Sequence, residues 1–386
     1  MKSVALVTEY NPFHNGHLYH AQTSKSITDS EISIAIMSGN FVMRGQPAIY
    51  NKFIRTRMAL NAVDLVIELP AVAALSAGQY FAETAVQIAS YVDADHLSFG
   101  SESGDIDSFH ELQKDISKIE QTSEFLMKLK EGKSYPRILS ELLNNHTLLS
   151  SPNNTLGVSY MRAIQKLAPH IKPWTISRES SHHHDFNISN LNFASGTAIR
   201  NALQTQNDLW KSVVPNSIQQ LYQEPHATVE DTFPYIKYAI LSHTTHSLKN
   251  IYTMSEGLEN RILDKIRYAS SFEHLMSLIK TKRYTYTHIQ RVLMNILLNF
   301  QHHHKHNSIK AVHILGMSPK GQQYLKYLKQ KFPERHFITQ LNQQNAHLFE
   351  QEIHSTHIYN LLSNRTETDF NTCLLYTSDA ADDLLC

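Results

Sequence analysis

Short apolar segments alternate with segments of helical periodicity in the first half of the chain. Five runs of apolar and β-branched residues end in polar residues or glycine: 3–8, 32–38, 64–69, 95–99 and 173–178. Runs of this length are typical of buried parallel strands. Helical spacing is seen instead in 17–28, 52–62 and 78–91, and in a segment that opens near Thr197. This alternation predicts an α/β fold, a doubly wound parallel sheet with right-handed crossovers.

The pattern changes beyond about residue 206. Apolar residues between 216 and 300 recur mainly at helical spacing, which predicts a mainly helical C-terminal domain. Two later runs, 311–321 and 336–339, predict strands on either side of a helix, as a small α/β element near the end.

These patterns divide the chain into three parts. We expect a sheet domain over 1–205 and a mainly helical domain over 206–372. A length of 386 residues also favours two domains over one core. Residues 373–386 depart in character from the preceding sequence, so we treat them as an atypical tail that is not native and exclude them from fold prediction.

Composition limits the classes of function. Lys plus Arg and Asp plus Glu number 35 each, so only a local patch would attract nucleic acid. The two cysteines, Cys373 and Cys386, are too few for a disulfide framework or a cysteine zinc site. We find neither a signal peptide nor an apolar run long enough to cross a membrane. We therefore expect a soluble, cytoplasmic protein, with its oligomeric state open.

The segment His14-Asn15-Gly16-His17 directly follows the first predicted strand. Pro12 would fix a bend there, and Gly16 would let the backbone approach a ligand closely. Histidines three residues apart in a first helical turn face one point, which is also the positive end of the helix dipole. The segment therefore favours positioning of phosphate and stabilisation of negative charge in a transition state.

Chance is the alternative for this histidine pair. The chain has 24 histidines, so pairs at a spacing of three are common. The H-x-G-H pattern and its position after the first strand favour the functional interpretation. The motif resembles that of the nucleotidylyltransferase superfamily, Rossmann-like proteins that include class I aminoacyl-tRNA synthetases.

Several motifs together resemble a narrower group, the bacterial tRNA(Met) cytidine acetate ligase family. They are VTEYNPFHNGHLYH (7–20), MSGNFVMRGQPA (37–48), DLVIELP (64–70), LSFGSE (97–102), SPNNTLGVSYMRA (151–163) and ASGTAIR (194–200). The resemblance implies an ATP-dependent ligase that activates acetate as acetyl-adenylate and acetylates N4 of the wobble cytidine of elongator tRNA(Met). It also implies ATP contacts by Val7, Thr8, Glu9, Tyr10, Asn11, Pro12, Phe13, His14, Asn15, Gly16, His17, Leu18, Tyr19, His20, Gly100, Asn153 and Arg178.

The chemistry of three of these residues fits that role. Gly100 follows the fourth strand, at the sheet edge where ligands bind, although a turn glycine is the alternative. Asn153 could bind the nucleotide or cap a helix, and Asn154 is nearly as good a candidate. Arg178 suits a two-pronged phosphate contact, with a surface salt bridge as the alternative.

A second phosphate site is expected at Ser195-Gly196-Thr197-Ala198-Ile199-Arg200. This segment resembles the superfamily's second signature, which holds the β- and γ-phosphates. Ser195, Thr197 and Arg200 would supply two hydroxyls and a guanidinium at a helix start. The competing interpretation is an ordinary capped helix.

A local basic patch is the candidate RNA-binding surface. Cations neutralise phosphate and tyrosines stack on unpaired bases, which is the chemistry expected of Lys280, Lys282, Arg283, Tyr284 and Arg291. Arg44, in the loop after the second strand, could contact phosphate or RNA. The alternative for all of these cations is a solvated surface.

No metal site is predicted among the protein's own side chains. The run Ser181-His182-His183-His184-Asp185 contains three histidines, but consecutive residues point in different directions and cannot all reach one ion. In the resembled family a tyrosine stands at the position of His183. Mg²⁺ is expected to enter with ATP.

Catalysis would then rest on His14 and His17, which stabilise charge as acetate attacks the α-phosphate. Two alternatives stay open. One is an adenylyltransferase that acts on a small phosphorylated metabolite, and the other is a non-catalytic tRNA-binding protein. The long helical domain counts against the first, and the presence of both histidines counts against the second.

Overall fold

A computed structural model describes residues 1–132, 135–143, 147–178, 188, 192–305 and 308–377, and the structural statements below refer to these residues. The histidine run 181–185 lies outside them. Within the part of the chain that was searched, no helix combines the length and apolar character needed to cross a membrane.

A mostly parallel sheet forms the centre of the fold. The strands are β1 (Ser3–Thr8), β2 (Ile32–Ser38), β3 (Phe41–Val42), β4 (Gln46–Pro47), β5 (Leu65–Leu69), β6 (His96–Ser101), β7 (Lys172–Ser177), β8 (Ala311–Met317), β9 (His336–Ile338) and β10 (Leu375–Tyr376). Five of them, β1, β2, β5, β6 and β7, correspond to the predicted strands, so that prediction is confirmed. The hairpin β3–β4 is separate from the main sheet.

Helices flank the sheet and make up most of the second half of the chain. They are α1 (Asn15–Ile27), α2 (Lys52–Ala59), α3 (Ala71–Ala74), α4 (Gly78–Tyr91), α5 (Ile106–Ile119), α6 (Ser123–Lys130), α7 (Tyr135–Leu142), α8 (Pro152–Leu167), α9 (Gly196–Gln204), α10 (Phe233–Ser242), α11 (Thr245–Lys249), α12 (Leu258–Lys265), α13 (Phe272–Ile279), α14 (Tyr286–Leu297), α15 (Pro319–Lys331) and α16 (Glu350–Ser363). Short 3₁₀ helices add Asp208–Val213 and Asn216–Gln223.

The strand order places a ligand site at one point of the sheet. Neighbouring strands run β10-β8-β5-β2-β1-β6-β7, and β9 pairs with β8. The chain therefore moves from β1 outward through β2 to β5, and then returns to the other side of β1 at β6. Ligands bind at such a switch point, outside the carboxyl ends of the strands. That point lies between β1 and β6.

The two strands and the helix expected near the end of the chain are present as β8, α15 and β9. The sequence did not give their partner: β8 pairs with β5 of the main sheet and runs antiparallel to it. Helical periodicity and apolar runs define an element but not its pairing partner, and this partner is more than 240 residues away. The two predicted domains therefore share one sheet, and their division at 205 stays a prediction.

Two apolar clusters cover the two faces of the sheet. Successive side chains of a strand point to opposite faces, and β1 follows this rule. Ala5 packs into the cluster with α4 and α8, whereas Val4 and Leu6 pack into the cluster with α1, α2 and α9. The second cluster also contains Trp210 and Tyr222, so the segment after α9 belongs to the core of the sheet.

A third cluster joins the helical region to the sheet. Its core is formed by α10 to α14, and it includes Phe41, Val72 and Leu75 from the first hundred residues. Tyr359 of α16 also belongs to it, and its hydroxyl donates to the carbonyl oxygen of Ala48 at 2.8 Å. The helices thus pack directly on the loops that follow β2 and β5.

A buried ionic network connects these layers. The Lys52 ammonium lies 2.7 Å from the Glu68 carboxylate and 2.5 Å from that of Asp369. His313 Nδ1 lies 2.7 Å from the other Glu68 oxygen. Burial alone would raise the pKa of Glu68, but Lys52 and His313 outweigh burial and hold the pKa below its usual range. Glu68, His313 and Asp369 would suit a metal ion, but the Lys52 ammonium supplies the cation there.

The network generates a stability prediction. Lys52→Met leaves Glu68 and Asp369 as uncompensated buried charges, so we expect a loss of about 3–5 kcal/mol in the free energy of unfolding, measured by urea titration. Lys2→Met is the control, because the Lys2–Asp29 pair is exposed and 3.6 Å long. It should cost at most about 1 kcal/mol. Equal losses in the two variants would contradict a structural role for the network.

Candidate active site

A cleft opens at the carboxyl ends of β1, β6 and β7. Most of the residues predicted from the sequence lie on its lining: Val7, Thr8, Glu9, Tyr10, Asn11, His14, Gly16, His17, Tyr19, His20, Arg44, Gly100, Asn153, Arg178, Thr197 and Arg200. The strand order alone would place a ligand at this edge of the sheet. The cleft therefore lies where the topology and the motifs both direct a ligand.

Other predicted residues lie beside the cleft and support its wall: Pro12, Phe13, Asn15, Leu18 and Ser195. Phe13 is fully buried in the core on the α1 side of the sheet. The Asn15 amide donates to the carbonyl oxygen of Asn192 at 3.0 Å. Ser195 Oγ accepts from Ala198 N at 3.0 Å and so caps α9, which is the alternative that the sequence left open.

The two histidines of the H-x-G-H motif form the start of α1 themselves. His14 Nδ1 accepts from Gly16 N at 3.1 Å, and His17 Nδ1 accepts from His14 N at 3.3 Å. The rings are stacked with centroids 3.8 Å apart. A Cβ on Gly16 would lie 2.9 Å from His14 Cε1, so only glycine leaves room for this arrangement.

These hydrogen bonds decide which ring nitrogen carries the proton. A nitrogen that accepts from a backbone N–H has no proton of its own. In the neutral rings of His14 and His17 the proton is therefore on Nε2, and each ring is a donor through that atom. Two neutral donors side by side at a helix N-terminus suit an oxyanion or a phosphate.

Three aromatic residues on the core side of the loop that leads into α1 hold this loop in place. The Tyr222 hydroxyl donates to the carbonyl oxygen of Phe13, and the Tyr50 hydroxyl donates to that of Tyr222 at 2.8 Å. Trp210 stacks on Tyr222 with ring centroids 4.6 Å apart. The segment beyond 205 therefore helps to fix the position of the histidines.

Arg55 fixes the strand ends below the cleft. Its side chain is fully buried, and its guanidinium donates to the carbonyl oxygens of Glu9 at 2.6 Å, Ser38 at 3.0 Å and Tyr50 at 3.0 Å, and also to that of Gly39. Burial lowers its pKa to about 10, so it stays charged at neutral pH.

Gly100, Arg178 and Asn153 meet at the far end of the cleft. A Cβ on Gly100 would lie 3.4 Å from Arg178 Cγ, so the Arg178 side chain lies close against this glycine. Arg178 donates to Asn153 Oδ1 at 3.1 Å. Asn154 points away and accepts from the backbone N–H of Glu102 at 2.9 Å. Of the two asparagines, Asn153 lines the cleft.

The start of α9 forms the opposite wall. Arg200 Nη1 donates to the carbonyl oxygen of Asn11 at 2.6 Å, and Arg200 Nη2 donates to Thr197 Oγ1 at 3.1 Å. These bonds tie α9 to the loop that carries His14. Arg200 and Thr197 both line the cleft, so a guanidinium and a hydroxyl are available beside the histidines.

Three arginines converge on the cleft. Burial lowers the pKa of Arg200 to about 10, and the charge of Arg44 contributes to the decrease. Burial also lowers the pKa of Arg178, where Glu102 opposes the effect and Arg44 adds to it. Arg44 thus repels both of the others. A cleft that collects mutually repelling cations is suited to a polyanion, which relieves the repulsion when it binds.

The Glu9 carboxylate lies close to two of these cations, Arg44 and Arg200, whose charges act on it. Glu9 Oε1 accepts from Met43 N at 2.7 Å, while Arg291 of α14 donates to Met43 O at 3.2 Å. Gly45 follows with φ of +80°, and a Cβ there would lie 2.4 Å from Arg291 N. The loop that carries Arg44 therefore lies directly against α14.

Apolar residues that the sequence analysis missed complete the lining: Phe81, Phe99, Leu156, Tyr160, Ile176 and Phe193. Phe81 and Tyr160 lie on α4 and α8 at apolar helical positions, where a cleft residue and a core residue give the same periodic signal. Met43 and Gln46 also line the cleft, and their only sequence signal is their proximity to Arg44.

The predicted RNA patch falls into two parts. Lys280, Lys282 and Arg283 are exposed, and Arg283 lies over the Tyr284 ring at 5.4 Å. Arg291 is instead partly buried against the cleft loop, and Arg44 lines the cleft. The patch and the cleft are thus connected through α14.

Known proteins resemble this chain over nearly its whole length. The family model described as HIGH Nucleotidyl Transferase matches residues 1–372. The chain belongs to this family. The tRNA(Met) cytidine acetate ligase of Staphylococcus saprophyticus is 70% identical over 372 residues, which cover 96% of this chain and 99% of that protein. The proteins of the same name from Staphylococcus carnosus and Staphylococcus aureus are 58% and 56% identical, over 96% of this chain and 97% and 98% of theirs.

Solved structures of a more distant relative share the fold. The apo crystal structure of Thermotoga maritima TmcAL is 26% identical, with a TM-score of 0.88 over 97% of this chain and 99% of that one. A second structure of that protein, bound with alpha-thio ATP, has a TM-score of 0.86 over the same shares. The predicted fold class is confirmed by this likeness.

His20 generates a prediction about pH. Its Nε2 is buried in the cleft wall and makes no hydrogen bond within the described residues, and burial together with the charge of Arg178 lowers its pKa to about 4. Between pH 6.5 and 4 the unfolded chain therefore binds more protons at this site than the folded chain, and stability falls as the pH falls.

The measurement is the free energy of unfolding of the wild type and of His20→Gln at pH 7.5 and at pH 4.5. The wild type should lose more stability than the variant, by at most about 3 kcal/mol. A difference between the two proteins that does not change with pH would contradict the neutral, buried state of His20.

Proposed function

We propose that the protein activates acetate with ATP as acetyl-adenylate and transfers the acetyl group to N4 of the wobble cytidine of elongator tRNA(Met). The observation that carries this proposal is the cleft at the β1–β6 switch point, where a histidine pair and three arginines surround one space. The names of the relatives at 56–70% identity support it, and so does the ATP analogue in the structure of the Thermotoga relative.

In the first step, an acetate oxygen attacks the α-phosphorus of ATP and pyrophosphate leaves. His14 and His17 donate through Nε2 to the charge that builds on the phosphate oxygens. Arg200 and Thr197, at the start of α9, hold the leaving pyrophosphate. Phosphoryl transfer asks mainly for positioning and for such donors. No covalent enzyme intermediate is needed.

The remaining cleft residues would hold the nucleoside end of ATP. Gly100, Asn153 and Arg178 lie together at the far end, where Arg178 and Asn153 are already hydrogen bonded to each other. Because Gly100 has no side chain, the Arg178 side chain packs against β6 there, and a base or ribose would lie beside these two residues. The apolar lining around Phe81 and Tyr160 suits a flat aromatic base.

Mg²⁺ would enter with ATP. It prefers oxygen ligands, and among the described lining residues only Glu9 carries a carboxylate. We therefore expect the phosphate oxygens and water, rather than a protein carboxylate cage, to hold the ion. Its contribution is to neutralise charge on the phosphates, alongside Arg44 and Arg200.

One experiment tests the proposed function and distinguishes it from the two alternatives. The protein is incubated with labelled acetate, ATP and elongator tRNA(Met), and both pyrophosphate release and label in RNA are measured. Acetate-dependent pyrophosphate release with label in RNA is expected. Nucleotide transfer to a phosphorylated metabolite instead would favour the adenylyltransferase, and RNA binding without pyrophosphate release would favour a non-catalytic protein.

His17→Ala should lower acetate-dependent ATP–pyrophosphate exchange about a hundredfold or more, since it removes one donor to the developing charge. His246→Ala is the control, because His246 is exposed on α11, remote from the cleft lining. It should leave the exchange rate unchanged. An exchange rate in His17→Ala close to that of the wild type would exclude His17 from the chemistry.

We propose that residues 206–372 carry the RNA and that the patch before α14 contacts its phosphates. Lys282→Ala and Arg283→Ala should each weaken tRNA binding and reduce the slope of log affinity against log salt by about one. Lys114→Ala, which removes an exposed cation on α5, should leave the slope unchanged. Filter binding at several salt concentrations measures this slope. If all three variants keep the slope of the wild type, the patch does not bind RNA.

A further inference from the structure

The two steps of the proposed reaction differ in whether a proton is released. Acetate is ionised at neutral pH, so its attack on phosphorus releases no proton. The cytidine N4 amine is neutral, and it loses one proton when it becomes an amide. Only the second step therefore releases a proton that a group in the cleft can accept.

The histidines of the motif are not suited to accept it. His14 and His17 each use Nδ1 to accept from a backbone N–H, so their neutral rings already carry the proton on Nε2. His20 also lines the cleft, but burial and Arg178 lower its pKa to about 4. A nitrogen with so low a pKa is a weak base at neutral pH.

Glu9 is the remaining candidate. Among the described lining residues it is the sole carboxylate. It lies next to the proposed ATP site, where a second negative charge would weaken the binding of ATP and acetate. Within the part of the chain that the structure describes, its carboxylate accepts one hydrogen bond, from Met43 N to Oε1 at 2.7 Å, which leaves Oε2 for another donor.

Glu9 is linked through Met43 to α14, the helix that follows the basic patch. Met43 donates its N–H to Glu9 and accepts at its carbonyl oxygen from Arg291. Arg291 belongs to α14, and the exposed cations Lys282 and Arg283 directly precede this helix. One residue, Met43, thus connects the carboxylate with the helix that follows the basic patch.

The electrostatics of the cleft fit a proton acceptor. Burial raises the pKa of Glu9 above its usual range, and this outweighs the hydrogen bond from Met43 and the charges of Arg44, Arg55 and Arg200, which lower it. A carboxylate with a raised pKa is a stronger base than one in water, and it still ionises when the pH exceeds its pKa.

We propose that the Glu9 carboxylate accepts the proton that the cytidine N4 amine loses when it attacks the acetyl carbon of acetyl-adenylate. The N4–C bond forms, and the bond from the acetyl carbon to the phosphate oxygen breaks. AMP leaves with that electron pair, and the N4 proton passes to a Glu9 oxygen and then to solvent. Glu9 thereby becomes a catalytic residue of the transfer step. This inference rests on the proposed function.

Glu9→Gln separates the two steps. The amide oxygen can still accept from Met43 N, so the loop keeps its hydrogen bond while the base is lost. Transfer is measured in a single turnover with synthetic acetyl-adenylate and transcribed elongator tRNA(Met), and activation is measured by acetate-dependent ATP–pyrophosphate exchange. We expect transfer to fall about a hundredfold or more and exchange to fall by less than about tenfold.

Two further variants and a pH profile complete the test. Glu9→Asp keeps a carboxylate and should transfer faster than Glu9→Gln. Glu83→Gln, on α4, removes a carboxylate 3.6 Å from Lys166 and should leave both rates as in the wild type. Wild-type transfer should rise with pH through the pKa of Glu9, because only the ionised form accepts a proton, and Glu9→Gln should lack this rise.

The outcomes are distinguishable. A large loss of transfer with exchange preserved, and loss of the pH-dependent rise, supports Glu9 as the base. Parallel losses in both steps, or an unchanged transfer rate in Glu9→Gln, overturn it while leaving the proposed function in place. A wild-type protein without acetate-dependent exchange overturns the proposed function, and this inference with it.

Discussion

The geometry of the cleft depends on one buried cation. The Arg55 guanidinium bonds to carbonyl oxygens at the ends of β1 and β2 and in the loop before α2. Free carbonyls at the ends of parallel strands are costly when they are buried, and a planar group with five donors satisfies several of them together. The backbone below the cleft is thus held in place by hydrogen bonds to a charged side chain rather than by pairing with a further strand.

The backbone that Arg55 holds leads directly into the segment that carries the two histidines. Arg55 holds the backbone of Glu9, and the next turns of chain carry the histidines, whose own rings satisfy the first backbone donors of α1. Folding and chemistry therefore use the same atoms. Each Nδ1 that stabilises the helix start also directs the proton of its ring to Nε2, where an anion can use it.

The sequence was most informative where function and local structure coincide. The five strands of the first half could be predicted because each is a short apolar run with a polar end, and the histidine motif could be placed because it follows the first of them.

Asn153 and Asn154 could not be separated, since the choice depends on which amide faces Arg178 and which faces Glu102. The apolar cleft residues were missed because Phe81 and Tyr160 have the periodicity of a core. The link from Glu9 through Met43 to Arg291 could not be predicted either, because it depends on hydrogen bonds between residues far apart in sequence.

The pairing of β8 with β5 has a consequence for the order in which the chain folds. During synthesis, the apolar edge of β5 is complete when residue 69 has emerged, but its partner strand ends only at residue 317. For most of translation this edge has unpaired backbone groups beside buried-type side chains, the kind of surface that pairs with other chains. Contacts of such long sequence separation also slow folding. The nascent protein is therefore most exposed to aggregation while its helical half is being made, and β8, which emerges after that half, covers the open edge of β5.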